Sequence, residues 1–190
     1  MKNYTNTDIK AFLKRNLSRE KYGHVLRVAE TARRLAELHG LSGRKAQLAG
    51  LLHDAGKNFT SPEVEPFLRR IRYTAEEKRI PALWHAKVGE EIAKRLFRVK
   101  DRSVLEAVSN HVIGSAAMDG LAKAVFLADK IEPGRSYKGV KELRALSKKS
   151  LDAAMLSALL AGIVFVARKE KRLHHLSIKV LESFVKKCVN

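Results

Sequence analysis

The chain has one cysteine in its 190 residues, Cys188, third from the end. An internal disulfide framework is therefore excluded, and so is a metal site built on thiolates. The opening stretch, MKNYTNTDIKAFLKRN, lacks an apolar core followed by a small-residue cleavage site, so no secretory leader is expected and a reducing cytoplasm fits. The longest apolar run, 153–167, is about 15 residues against the ~20 that span a bilayer, which predicts a core helix and no membrane partner. Runs of alternating polarity bounded by Asn-Gly or Asp-Gly turns are missing, so strands are not expected. There is no GxxxxGK[ST] loop, no GxGxxG and no GxSxG elbow, which removes three common nucleotide and acyl chemistries. Nor do aromatics interleave the basic clusters at 69–79 and 168–172, as a base-stacking surface would require.

Apolar residues make up 45 % of the chain, enough for one well-cored domain. Lys and Arg number 38 against 20 Asp and Glu, a net charge of +18. Such a field attracts polyanions: nucleic acid, nucleotides or polyphosphates. Nearly every segment carries a helical period. Val25, Val28, Ala29, Ala32, Leu35 and Ala36 share one face, and Ala46, Ala49 and Leu52 repeat the pattern. Further helices are predicted over 84–97, 102–112 and 120–132, the last stopped by Pro133 and Gly134. Two more cover about 137–169, interrupted near Ser150, and 173–188. The reading is a single all-α domain over 1–190.

The polar residues break this pattern in one way. His24 continues the stripe of Val25 and Val28. His53 shares a face with Ala49, His85 leads Val88, Gly89 and Ile92, and His111 extends Val104, Ala107 and Val108. Asp129 falls four residues after Val125 and eight after Leu121, where apolar side chains point. Asp54 follows His53 directly. Carboxylates are almost never fully buried unless paired or bound to metal. The segment GLLHDAGK, 50–57, also reads as a helix end, with Gly56 as the residue just past it and Lys57 facing the dipole. The other histidines, His39, His174 and His175, lie near helix ends in polar company, and the adjacent pair is assigned to the surface.

Four imidazoles and two carboxylates suit iron, manganese or zinc better than calcium or magnesium. Six protein ligands exceed the set of one tetrahedral zinc. Two metals sharing a bridging carboxylate are the natural reading, and such a centre can clamp both oxygens of a phosphoryl transfer. Lys57 and Arg135, the latter directly after KIEPG, could neutralise phosphate charge.

With His24, the HD pair 53–54, Gly56, Lys57, His85, His111 and Asp129 in this order, the chain resembles the HD-domain metal-dependent phosphohydrolases. HAKVGEEIA, NHVIG and LADKIEPGRSY are similar to the YqeK-type branch, the symmetrical diadenosine-tetraphosphate hydrolases, and the likeness covers about 18–180. The resemblance implies an all-helical fold, a di-iron centre and hydrolysis of dinucleoside tetraphosphate at its middle into two nucleoside diphosphates. Carried over, His24, His53, Asp54 and Asp129 hold one metal, His85 and His111 the second, and Asp54 bridges. Asp54 and Lys57 then stand at the reaction, with Lys57 and Arg135 on the substrate phosphates. Ala55, where many relatives carry a bulkier residue, and Ala86-Lys87, where Gly-Pro is frequent, bear on substrate fit. The expected mechanism is attack of a hydroxide, activated by the two metals, on an inner phosphorus. Two alternatives stay open: action on another nucleotide, or an RNA- or ribosome-binding helical module with a structural metal. The reading also leaves room for a homodimer.

Overall fold

A computed structural model describes residues 4–58 and 60–189, with side chains through Lys187, so the Cys188 side chain lies outside the description. The elements are α1 (Asn6–Asn16), α2 (Arg19–Leu38), α3 (Gly43–Leu52), the single turns α4 (Glu65–Leu68) and α5 (Ala75–Lys78), and a 3₁₀ turn (Pro81–Leu83) leading into α6 (Trp84–Glu91). They continue with α7 (Arg102–Asn110), α8 (Gly120–Ile131), α9 (Val140–Lys149), α10 (Leu151–Arg168) and α11 (His175–Val189). No strand occurs among the described residues. The boundaries follow local chemistry. Ser18, Ser42, Asp101, Asp119 and Ser150 each stand before a helix and accept a backbone N–H of its first turn. The first helix, α1, which the periodicity reading left without an element, is closed by a reciprocal cap between Thr5 and Asp8.

The central element is α8, in which Leu121, Ala122, Ala124 to Asp129 and Ile131 are all buried. It packs against α2, α3, α7, α9 and α10. Small residues set the spacing. A Cβ on Gly50 would lie 2.7 Å from Ala29 Cα, so α2 and α3 cross at a distance only glycine allows. Arg144 of α9 secures the chain after α8. Its guanidinium donates to the carbonyls of Ile131, Glu132 and Arg135, each at 2.8 Å.

Three expectations change. The predicted helix 84–97 is not uniform, because α6 passes into one wider π turn at Ile92–Leu96. The run 153–167 lies within an 18-residue helix that is long and apolar enough by composition to cross a membrane. It is a core helix only at its start: Ala154, Met155, Ala158 and Leu159 are buried, whereas Leu160, Val164 and Phe165 are 45–59 % exposed. Composition gave its hydropathy but not how many neighbours would reach it. Finally, His174 is buried rather than on the surface. Its Nδ1 accepts the Leu176 amide at 3.2 Å, and Nε2 faces Glu76 Oε2 at 3.6 Å. His175 is exposed as expected.

Candidate metal centre

The six predicted ligands converge from five parts of the chain. His24 comes from the first turns of α2, His85 from the start of α6 and Asp129 from the end of α8. His53 and His111 are the C-terminal cap residues of α3 and α7. A helix end leaves carbonyls without partners. Here the imidazoles take them: His53 Nδ1 donates to Gly50 O and His111 Nδ1 to Val108 O, both at 2.7 Å. Since a carbonyl only accepts, each Nδ1 holds the proton and each Nε2 presents a bare lone pair. His24 is oriented likewise, its Nδ1 lying 3.1 Å from Glu132 Oε1.

These lone pairs meet Asp54, whose two oxygens divide the set. Oδ2 lies 3.5 Å from His53 Nε2 and 3.9 Å from His24 Nε2. Oδ1 lies 3.4 Å from His85 Nε2 and 3.7 Å from His111 Nε2. His24 Nε2 is also 3.0 Å from Asp129 Oδ1, and His85 Nε2 is 3.0 Å from His111 Nε2. Two donors ~2.1 Å from one ion and ~90–110° apart stand ~3.0–3.4 Å from each other; His24–Asp129, His85–His111 and His85–Asp54 fall in that range, and the other contacts to Asp54 are longer, at 3.5–3.9 Å. His24 Nε2, His53 Nε2 and Asp54 Oδ1 are buried without a hydrogen-bond partner. Bare acceptors brought together in a closed site suit a cation, and the donor set fits a divalent metal. Two groups, His24–His53–Asp129 and His53–Asp54–His111, have ligand atoms close enough to hold an ion.

Protonation agrees with ligation. Burial pushes His53 down to about 4 and His85 to about 3, so both are neutral near pH 7. Burial opposes ionisation of Asp54, but the Lys57 ammonium beside it helps hold it well below the usual carboxylate range. Asp129 is also desolvated, yet the Lys130 ammonium keeps it well below that range.

Lys57 and Arg135 both reach the site, each through a carboxylate. Lys57 Nζ is 2.7 Å from Asp54 Oδ2. Arg135 Nη2 donates to Asp129 Oδ1 at 2.7 Å and Nε to the Asp129 carbonyl at 2.8 Å. Ala55 and Ala86 are buried beside the ligands. Gly56 does not take a left-handed conformation, so the cap reading fails: α3 ends at Leu52 and the chain continues in turns. Its missing side chain serves packing, since a Cβ there would lie 2.5 Å from His85 O.

Sequence reasoning missed Glu132 and Lys130. Glu132 is buried and accepts from Arg27 Nε at 2.6 Å and the Gly134 amide at 2.6 Å besides facing His24. Burial raises and Arg27 lowers its pKa, to about 2. It lies three residues after Asp129, on the same side of α8 continued, and that spacing was the available signal. Lys130 holds Asp129 Oδ2 at 2.6 Å. A third cluster, Glu76–His174–His175, also gathers donors. There His174 Nδ1 is the acceptor of an amide, so Nε2 carries the proton and is not a free ligand atom.

A helical domain with such a constellation is the architecture of the HD domain, and the family profile for the HD domain matches residues 22–134. The chain belongs to the HD-domain family. It is 33 % identical over 162 residues to the symmetrical bis(5'-nucleosyl)-tetraphosphatase of Bacillus subtilis, covering 85 % of this chain and 87 % of that one. To the protein of the same name from Staphylococcus aureus it is 30 % identical over 184 residues, covering 92 % of each. A solved structure from Clostridium acetobutylicum, described as a predicted HD superfamily hydrolase involved in NAD metabolism, superposes with a TM-score of 0.91 at 32 % identity. The match covers 98 % of this chain and all of that one.

Proposed function

We propose that the chain is a metal-dependent phosphohydrolase that splits dinucleoside tetraphosphates, diadenosine tetraphosphate foremost, at the central bridge into two nucleoside diphosphates. The carrying observation is the likeness to symmetrical bis(5'-nucleosyl)-tetraphosphatases over 85–92 % of this chain, together with an Asp54 whose two oxygens face separate histidine sets. His24, His53, Asp54 and Asp129 would hold one ion and His85 and His111 the other, with Asp54 within reach of both sets. Iron is the metal the resemblance implies; manganese and zinc accept the same donors. When bound, a divalent pair supplies an activated water and charge neutralisation at phosphorus.

The protein's own residues do the rest. Glu132 and the carbonyls of Gly50 and Val108 fix the ring orientations. Lys130 and Arg135 keep Asp129 ionised and aimed. Lys57, with a 36 % exposed side chain, meets phosphate oxygens, and so does Arg135. At neutral pH neither His53 nor His85 has a second proton to give. The leaving nucleoside diphosphate departs as a stable anion, so stabilising charge matters more than supplying a proton. A substrate of this kind places the work in the cytoplasm.

The test is a panel of dinucleoside polyphosphates, mononucleotides and cyclic dinucleotides given to anaerobically purified protein, with products separated by charge. Two diphosphates from the tetraphosphate are expected. A monophosphate with a triphosphate, or turnover confined to another nucleotide, refutes the reading. Asp54→Ala should lose both ions by elemental analysis together with activity, and retention of one ion would remove Asp54 from the bridging position.

A further inference from the structure

Arg27 stands three residues after His24 on α2 and belongs neither to the candidate metal donors nor to the cations assigned to phosphate. Its partner is Glu132, a buried carboxylate whose two oxygens do different work. Oε1 faces His24 Nδ1 at 3.1 Å. Oε2 accepts from Arg27 Nε and from the Gly134 amide, each at 2.6 Å, and Arg27 Nη2 reaches over to Oε1 at 3.4 Å. A carboxylate free to turn about its last bond could present either oxygen to the imidazole. With Oε2 held by two short charge-assisted contacts, one orientation is left. Arg135 does not supply a substitute, since its Nε lies 4.0 Å from Oε1, beyond hydrogen-bond reach.

The guanidinium is itself seated between two glycines that contribute space rather than turns. A Cβ on Gly134 would stand 2.8 Å from Nη2 and 3.0 Å from Nε. One on Gly23, a turn earlier in α2, would stand 3.2 Å from Nη1. Gly23 is interior to a helix, where glycine is disfavoured against alanine, and neither glycine has a left-handed φ. Both backbones would accept alanine; the arginine in its present place would not. An ordinary surface ion pair needs no such slot, yet the Arg27 side chain keeps it while 42 % exposed.

We infer that Arg27 is a positioning residue for the metal centre: it locks Glu132, and Glu132 in turn fixes the His24 ring and strengthens it as a ligand. Partners behind a ligating histidine govern affinity as well as geometry. The series Arg27, Glu132, His24 ends at one of the two donor sets. Its influence therefore falls on the ion assigned to His24, His53 and Asp129, and not on the one assigned to His85 and His111. The inference rests on the metal reading under Proposed function.

The experiment titrates metal-free protein with manganese(II), the weakest-binding ion of its series, so that both constants stay within reach of calorimetry. Arg27→Met removes the cation, and Gly134→Ala keeps it but fills its seat. Arg34→Met, which breaks an exposed pair with Glu30 on the same helix, is the control. In both test variants one of the two affinities should fall about five- to tenfold, less than for Glu132 itself because Arg27 is one contact further out. The other affinity should stay within about twofold, and so should KM for diadenosine tetraphosphate once the protein is saturated with metal. Arg34→Met should move none of these. Loss of both affinities together with a lowered melting temperature assigns Arg27 to the general stability of the fold and overturns the inference. So does a raised KM with metal affinity intact, which would make Arg27 a phosphate contact. Two unchanged affinities in Arg27→Met overturn it while leaving the metal reading in place. Wild-type protein that binds no manganese(II) brings down the metal reading, and this inference with it.

Discussion

Glu132 bonds to no phosphate and is no ligand, yet it sets the ring of His24 and is held by Arg27 and the Gly134 amide. Glu132→Gln keeps the shape and removes the charge that polarises His24. Metal affinity should fall ~10–100-fold, as for other carboxylates behind a ligating histidine. Chelator competition measures it, and unchanged affinity would leave Glu132 a purely structural anchor. The imidazoles make a second prediction, for protein stripped of metal. His53 at about 4 and His85 at about 3 lie below the ordinary histidine value of 6.5, so between those values the unfolded chain binds more protons than the folded one. Stability from keeping these rings neutral is full above about 6.5 and is lost as pH falls toward 4 and 3, on the order of 3 kcal/mol for fully buried His53. Urea melts across pH 7 to 4 should show it. A flat profile would mean that the rings are not buried as described.

At the level of elements, the candidate ligands were legible because burial follows helical period. His24, His85 and Asp129 sit where apolar residues sit, and a polar group on such a stripe stands out. Glu132 carried only a weak signal, its spacing of three residues from Asp129 at the C-cap of α8, because a charged residue at a helix end is ordinarily solvated. The fate of α10 was equally hidden: hydropathy shows that a face is apolar, not which elements will cover it. Gly56 shows a third limit, since its role is a contact with α6, some 30 residues away in sequence. Gly56→Ala would press a methyl group against the His85 carbonyl and the Gly89 amide, backbone atoms that cannot swing aside. It should destabilise by about 1–3 kcal/mol and shift His85, lowering metal occupancy along with melting temperature. Normal occupancy with normal stability would show that α6 is not fixed at this contact.

For the whole molecule, the charge of +18 should act on encounter. Raising salt from ~20 to ~300 mM ought to lower kcat/KM for the tetraphosphate several-fold while kcat changes little, because screening weakens long-range attraction more than contacts in a site. A salt-independent kcat/KM would confine the basic surface to some other role. The centre also sets opposite charges side by side. His53 and His111 cap the C-termini of α3 and α7, so both helices direct their electronegative ends toward Asp54, each equivalent to roughly half a negative charge. Against them and the two carboxylates stand Lys57 on Asp54, and Lys130 and Arg135 on Asp129. The electronegative side of this arrangement suits a cation and the electropositive side suits a phosphate, so one small site is charged for both at once.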